Sequence, residues 1–189
     1  CNGKVLRLHR QLEQTPRIRE LMHHLPALVT VLDLSYSMSR HYELMWELLT
    51  LMHQDVAGSR GQAWVIFFGK DALLPMDLGD PDLLGVVRHL FLPGRDVPEF
   101  DRGGTNYHNV MVHLLAMLAP EGQLCGRTVK VVFQTDGGSQ EKLWKTDIVS
   151  LKPLLASLQP IFFCTGSTYH ERECMAEAST VVVAKDRHA

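Results

Sequence analysis

Residues 27–32 form an apolar run of strand length, with Pro26 ahead of it and Asp33 directly behind. A run without polar alternation suits a strand covered on both faces, as in a parallel sheet. Residues 42–53 follow, with Leu44, Met45, Leu48, Leu49 and Met52 at the 3.6-residue spacing of an amphipathic helix. Further strands are expected at 63–68, 129–134, 161–164 and 180–184, and a short antiparallel edge strand at 72–78 after the Gly69-Lys70-Asp71 turn. Helices are expected from Asp80-Pro81 onward and over 107–118, 147–158 and 171–178. This alternation predicts an α/β fold: a doubly wound, mostly parallel six-stranded sheet of Rossmann-like type, with helices on both faces and right-handed crossovers. Such sheets hold their sites beyond the carboxyl ends of the strands, where the strand order reverses.

Two parts are expected along the 189 residues: a helical lead-in over 1–25 and one metal-binding domain over 26–189. The lead-in is polar and Arg-rich, with Thr15-Pro16 as N-cap and first helical residue. Because the sequence begins with Cys1, it reads as processed or as a piece of something longer. Apolar residues make up 46% of the chain, enough for a packed core, and a net charge of -2 provides no basic field for nucleic acid. The apolar runs fall well short of the roughly 18–20 residues of a membrane helix. Cys1, Cys125, Cys164 and Cys174 form no C-x-x-C pair, which points to a reducing, cytoplasmic setting.

Chemistry concentrates in three segments. In Asp33-Leu34-Ser35-Tyr36-Ser37, oxygen-bearing side chains fall on alternate residues, so an extended or gently turning segment points all three one way while Leu34 faces the core. Thr105 arrives after Gly103-Gly104 at the head of a helix, and Asp136 ends the strand at 129–134. Hydroxyls and carboxylates are hard ligands, suited to Mg²⁺, Mn²⁺ or Ca²⁺. Three neutral hydroxyls and two carboxylates leave a divalent ion short of negative charge if the carboxylates act through water. The ion then recruits one more anion, and a partner's carboxylate can supply it without any bond being broken.

D-x-S-x-S after the first strand, a mid-chain Thr and an Asp after the fourth strand resemble the metal-ion-dependent adhesion site (MIDAS) of von Willebrand factor A (vWA) domains. More narrowly, Phe68-Gly69-Lys70-Asp71, Gly103-Gly104-Thr105-Asn106-Tyr107, Thr135-Asp136-Gly137-Gly138 and Pro160-Ile161-Phe162 are similar to the bacterial tellurium-resistance, TerF-type branch. The resemblance spans about residues 26–185. It implies that Asp33, Ser35, Ser37, Thr105 and Asp136 are the metal positions, with the hydroxyls touching the ion and the aspartates often acting through water. Tyr36, Gly104, Asn106 and Gly137 beside them are candidate partner contacts. The resemblance further implies a non-enzymatic protein-interaction module in tellurite or other chemical stress resistance, with partners among other Ter-type proteins. One position departs from the pattern: Tyr36 stands where the family commonly has Gly, so its side chain leans over the site or away from it.

Other readings stay open beside this one. Asp33 at a strand end is also where aspartyl-phosphate enzymes place a nucleophile, which allows an Mg²⁺-dependent phosphohydrolase or phosphoacceptor. Against it, Ser35 replaces the second Asp of D-x-D, and Lys70 and Lys130 are poorly placed to stabilise phosphoryl charge. A docking domain with an inert metal site is the third reading. No GxxxxGK[ST] is present for nucleotide. Asp71, Asp77, Asp80 and Asp82 read as a solvated turn rather than a second cation site, and Cys164, His170 and Cys174 as unrelated residues rather than a soft-metal site.

Overall fold

The computed structural model describes residues 26–92, 97–98, 100–136, 158, 161–165 and 180–184, with 162–165 and 180–184 described as backbone. The lead-in, the helices expected at 147–158 and 171–178, and the Cys164–His170–Cys174 grouping therefore lie outside what is described, apart from Leu158 and the backbone of Cys164. The sheet order is β3-β2-β1-β4-β5-β6, from strands β1 (Ala27–Asp33), β2 (Ala63–Phe68), β3 (Met76–Asp77), β4 (Val129–Thr135), β5 (Ile161–Thr165) and β6 (Thr180–Ala184). All neighbours pair in parallel except β2 and β3. Strand order thus reverses between β1 and β4, and that switch point is where a doubly wound sheet opens a crevice.

Alternate residues of the central strands feed two separate cores. Val29 and Val31 of β1, Ile66 and Phe68 of β2, and Val131 and Phe133 of β4 pack with Tyr107, Val110, Met111 and Leu114. The last four belong to helix α3 (Tyr107–Leu118), which the Asn106 side chain caps by accepting from His108 N. On the opposite face, Leu32, Val65 and Phe67 pack with Met45 and Leu49 of helix α1 (Tyr42–Val56) and with Leu83 and Val87 of helix α2 (Leu83–Val87). Helices therefore cover both faces.

Three local expectations are corrected. The edge strand is only Met76–Asp77, because Pro75 cannot donate to a ladder; Ala72 instead makes a lone bridge to Phe68. The helix expected from Asp80-Pro81 begins at Leu83 and continues as a 3₁₀ turn over Arg88–Phe91. Residues 33–37 are not extended: Asp33 Oδ1 accepts from Ser35 N at 2.9 Å, and a 3₁₀ helix runs from Tyr36 to His41.

Candidate metal centre

Asp33 is the last residue of β1 and fully buried, with both carboxylate oxygens engaged. Oδ1 takes the Ser35 amide, and Oδ2 takes the Thr135 hydroxyl at 2.6 Å across the β1–β4 switch. That leaves Thr135 Oγ1 as an acceptor, so the Tyr107 hydroxyl, 2.8 Å away, donates to it. Burial pushes the Asp33 carboxyl up from its ordinary 3.8 to about 6; the Thr135 and Ser35 hydrogen bonds pull it down, and the Asp136 charge pushes it up again. The repulsion puts Asp136, half-buried just beyond β4, within electrostatic reach of Asp33.

The turn at Ser35 brings the next two hydroxyls together. Ser35 Oγ and Ser37 Oγ lie 3.1 Å apart, the first buried and the second exposed, so the pair leads from the Asp33 carboxylate to solvent. Leu34 points into the core, as the alternation predicted. Tyr42 fixes the turn from below: its hydroxyl lies 2.5 Å from the Leu34 carbonyl and 3.1 Å from that of Ser35.

Thr105, half-buried, reaches the same rim on a tethered loop. Leu34 N donates to Phe68 O at 2.7 Å, Asn106 N to Gly69 O at 2.7 Å, and Tyr36 N to Arg102 O at 3.2 Å. Both flanks of Gly103-Gly104-Thr105 are thereby bound to segments that leave β1 and β2. Gly69 is required at this crossing, since a Cβ there would meet Asp101 O at 2.9 Å and Gly104 O at 3.4 Å. The Arg102 guanidinium is buried, donates to Leu90 O and sits 5.2 Å from the Tyr42 ring centroid, joining the same loop to the core.

Asp33, Ser35 and Ser37 are thus brought into one bonded chain, and Thr105 and Asp136 are carried to its rim. The hydroxyl and carboxylate oxygens suit a hard divalent cation, and a cation beside Asp33 would relieve the charge repulsion that Asp136 imposes on it. Among the described residues, no group of three or more His, Cys, Asp or Glu side chains forms a rival site. The Asp71–Asp82 stretch is a turn: Asp77 accepts from Gly61 N and Gly79 N, and Asp80 from Asp82 N. His53 packs, with Nδ1 2.8 Å from Leu78 O, and Cys125 is an exposed free thiol. Lys70 pairs with Asp101 at 2.9 Å.

Tyr36 leans outward, 58% exposed, and lines an open cleft of about 300 Å³ with Asp71, Val97, Phe100 and Asp101. Gly104 and Asn106 flank Thr105, whereas Gly137 lies outside the described residues. Thr135, Tyr107, Tyr42 and Arg102 support the site without having been assigned a role from sequence. Hydroxyl-bearing and charged residues next to the three motifs were the available signal.

No protein-family profile matches the sequence, and no curated protein matches it. Among solved structures, the conserved hypothetical protein BatB of Bacteroides thetaiotaomicron is similar with a TM-score of 0.57 and 13% identity, over 86% of this chain and 91% of that one. The VWA domain of SpRpn10 is similar with a TM-score of 0.53 and 14% identity, over 85% and 88%. The fold is that of a von Willebrand factor A domain. A third vWA-like structure is proximal thread matrix protein 1 of the mussel byssus, with a zinc-occupied MIDAS motif: TM-score 0.51, 15% identity, 86% of this chain and 44% of that one. This chain therefore spans less than half of the mussel protein. In all three, identity is low enough that the likeness concerns the fold, and the chemistry rests on this chain's own residues. Among the described residues, no helix is long and apolar enough to cross a membrane.

Proposed function

We propose that this chain is a divalent-cation-dependent protein-interaction module. Asp33, Ser35, Ser37, Thr105 and Asp136 would hold the ion, Mg²⁺ in the first instance and Mn²⁺ or Ca²⁺ as alternatives, and a carboxylate from a protein partner would complete its charge. The observation that carries the reading is the buried Asp33 carboxylate at the β1–β4 switch, bound by the Ser35 amide, with the Ser35 and Ser37 hydroxyls 3.1 Å apart leading from it to the surface. A buried carboxylate costs stability unless a positive charge or strong donors compensate it, and its raised pKa records incomplete compensation. The zinc-occupied MIDAS motif of the similar mussel protein supports metal binding on this fold.

The chain's residues have separable parts in this function. Thr135 and Tyr107 orient Asp33; Tyr42 holds the Ser35 turn; Gly69 and Arg102 hold the Thr105 loop against it. Tyr36 stands outside the ligand set and faces the partner. The finer setting, a bacterial response to tellurite or other chemical stress beside Ter-type proteins, rests on motif resemblance alone, and a cytoplasmic location rests on the cysteine pattern alone.

The test is affinity capture from a native lysate with Mg²⁺, with EDTA, and with Asp33→Ala as bait. Proteins held in Mg²⁺ and released by both chelation and the substitution support the reading. A partner retained in EDTA and by Asp33→Ala contradicts it.

A further inference from the structure

The cleft beside the metal centre has walls that are joined by backbone hydrogen bonds. Tyr36 N donates to Arg102 O at 3.2 Å, Lys70 N and Asp71 N donate to Asp101 O at 3.0 and 3.4 Å, and Phe100 N donates to Val97 O at 2.9 Å. The segments that carry Tyr36, Asp71 and residues 100–102 are therefore tied together before anything binds, which lowers the cost of filling the space between them. At about 300 Å³ and open to solvent, the cleft is at the small end of small-molecule sites, so a side chain suits it better than a cofactor.

Its charges select the side chain. Four described charged residues line or border it: Lys70, Asp71, Asp101 and Arg102. Three of them are already engaged. Lys70 pairs with Asp101 at 2.9 Å, and the other Asp101 carboxylate oxygen accepts from Gly103 N at 2.7 Å. Arg102 is buried, and its guanidinium donates to Leu90 O and sits over the Tyr42 ring. Asp71 differs: it is exposed, and its carboxylate makes no hydrogen bond or ion pair among the described residues. Lys70 is near enough to sense that charge but is bonded to Asp101 instead, so the cleft keeps one negative charge without a direct partner.

The remaining surface is aromatic and apolar. Tyr36 offers an exposed ring, and Val97, Pro98 and Phe100 offer a place for an aliphatic stem. A carboxylate, a ring face and an apolar floor together form a receptor for a long basic side chain, whose head pairs and stacks while its stem lies on the floor. Arginine fits better than lysine, because its planar head can stack on a ring while donating to a carboxylate. The cleft is also continuous with the metal positions. Tyr36 lies between Ser35 and Ser37, and Asp101 and Arg102 lead through Gly103-Gly104 to Thr105.

We propose that this cleft takes an arginine side chain of the same protein partner whose carboxylate completes the ion, with Asp71 pairing with the guanidinium and Tyr36 stacking on it. The surface recognised on the partner is then a neighbouring acidic and basic pair rather than an acidic residue alone. That a protein partner presents the side chain rests on the cation-dependent reading above; the preference of the cleft for a guanidinium does not.

The test is NMR titration of the full chain in EDTA, read on the backbone amides of Tyr36, Asp71 and Phe100. The probes are N-acetylarginine N-methylamide, its uncharged citrulline analogue and N-acetylaspartate N-methylamide. The arginine probe is expected to shift these amides saturably and to bind more tightly than the citrulline probe by about threefold or more. Asp71→Asn and Tyr36→Ala should each weaken it by a similar factor, while Asp55→Asn, on helix α1 outside the cleft, leaves it unchanged. The same affinity is expected in Mg²⁺, so a metal site that failed to bind its ion would leave this result readable. Equal binding of the arginine and citrulline probes, or an affinity unchanged in Asp71→Asn, overturns the proposal. Preference for the aspartate probe overturns it as well, and would make the buried Arg102 Nε, which has no acceptor among the described residues, the anchor of an anion instead.

Discussion

Thr135 donates to Asp33 at 2.6 Å across 102 positions of sequence, joining the ends of β1 and β4 at the place where the sheet changes direction. The bond keeps one oxygen of a buried carboxylate satisfied. Thr135→Val removes the donor and leaves that oxygen unpaired, a loss of about 1–3 kcal/mol. Chemical denaturation of Thr135→Val is expected to show that loss and Thr135→Ser to restore most of it. Tyr107→Phe, one bond further out, is expected to cost about 1 kcal/mol.

The raised Asp33 pKa sets a pH dependence with a definite sign. Its carboxyl titrates near 6 when folded and near 3.8 when unfolded, so between these values the folded state binds more protons. Stability without cation should therefore fall as pH rises through that window, by on the order of 3 kcal/mol if all of the shift is expressed. A cation competes with the proton, so its stabilising effect should be small at pH 5 and full above pH 7. Melts across that range with EDTA and with Mg²⁺ check both statements. Asp33→Asn should flatten the slope in EDTA and abolish the cation effect.

Gly69 tests how the Thr105 loop is held. A Cβ at that position meets the Asp101 carbonyl at 2.9 Å, and backbone atoms on both sides cannot yield cheaply. Gly69→Ala is expected to lower stability by about 1–3 kcal/mol and to weaken cation binding beyond what Gly85→Ala does, since nothing lies within 4 Å of a Cβ at Gly85. Calorimetric titration with Mn²⁺ reads the affinity.

Tyr36 separates the ion from the partner. Its side chain is largely in solvent, so Tyr36→Gly should change stability by under about 1 kcal/mol and leave cation affinity within about twofold. Partner binding is expected to drop, because the ring forms a wall of the cleft beside the site. A variant that loses cation and partner together would move Tyr36 into the ligand-holding loop itself.

Much of this was legible in the sequence because buried parallel strands read as continuous apolar runs. Strands β1, β2 and β4 begin where the runs at Ala27, Ala63 and Val129 begin, and the chemistry-bearing residues at 33–37, 105 and 136 fall directly beyond strand ends or at a helix head. The edge was less legible: in residues 72–78 an apolar composition outweighed Pro75, and only Met76 and Asp77 join the ladder, with Ala72 in a lone bridge to Phe68. The supports of Asp33 were illegible for a different reason. Thr135 reaches it only because β4 lies beside β1, and Tyr107 only because helix α3 crosses the same strands, so both follow from strand order rather than from local pattern. The 3₁₀ turn after Ser35 follows likewise from Tyr42, a residue eight positions on from Leu34 whose hydroxyl contacts the carbonyls of Leu34 and Ser35.

The central claim is that the folded chain holds a divalent cation through Asp33, Ser35, Ser37, Thr105 and Asp136, and an ion bound only by the folded state must raise its stability. Thermal melts of the parent, Asp33→Ala and Thr105→Ala in EDTA, Mg²⁺, Mn²⁺ and Ca²⁺ at pH 7.5 or so measure this directly. The account predicts a rise in Tm with at least one of the cations that is absent in both variants. Identical melting of the parent in EDTA and in millimolar amounts of every cation, or a rise that both variants retain, would contradict it.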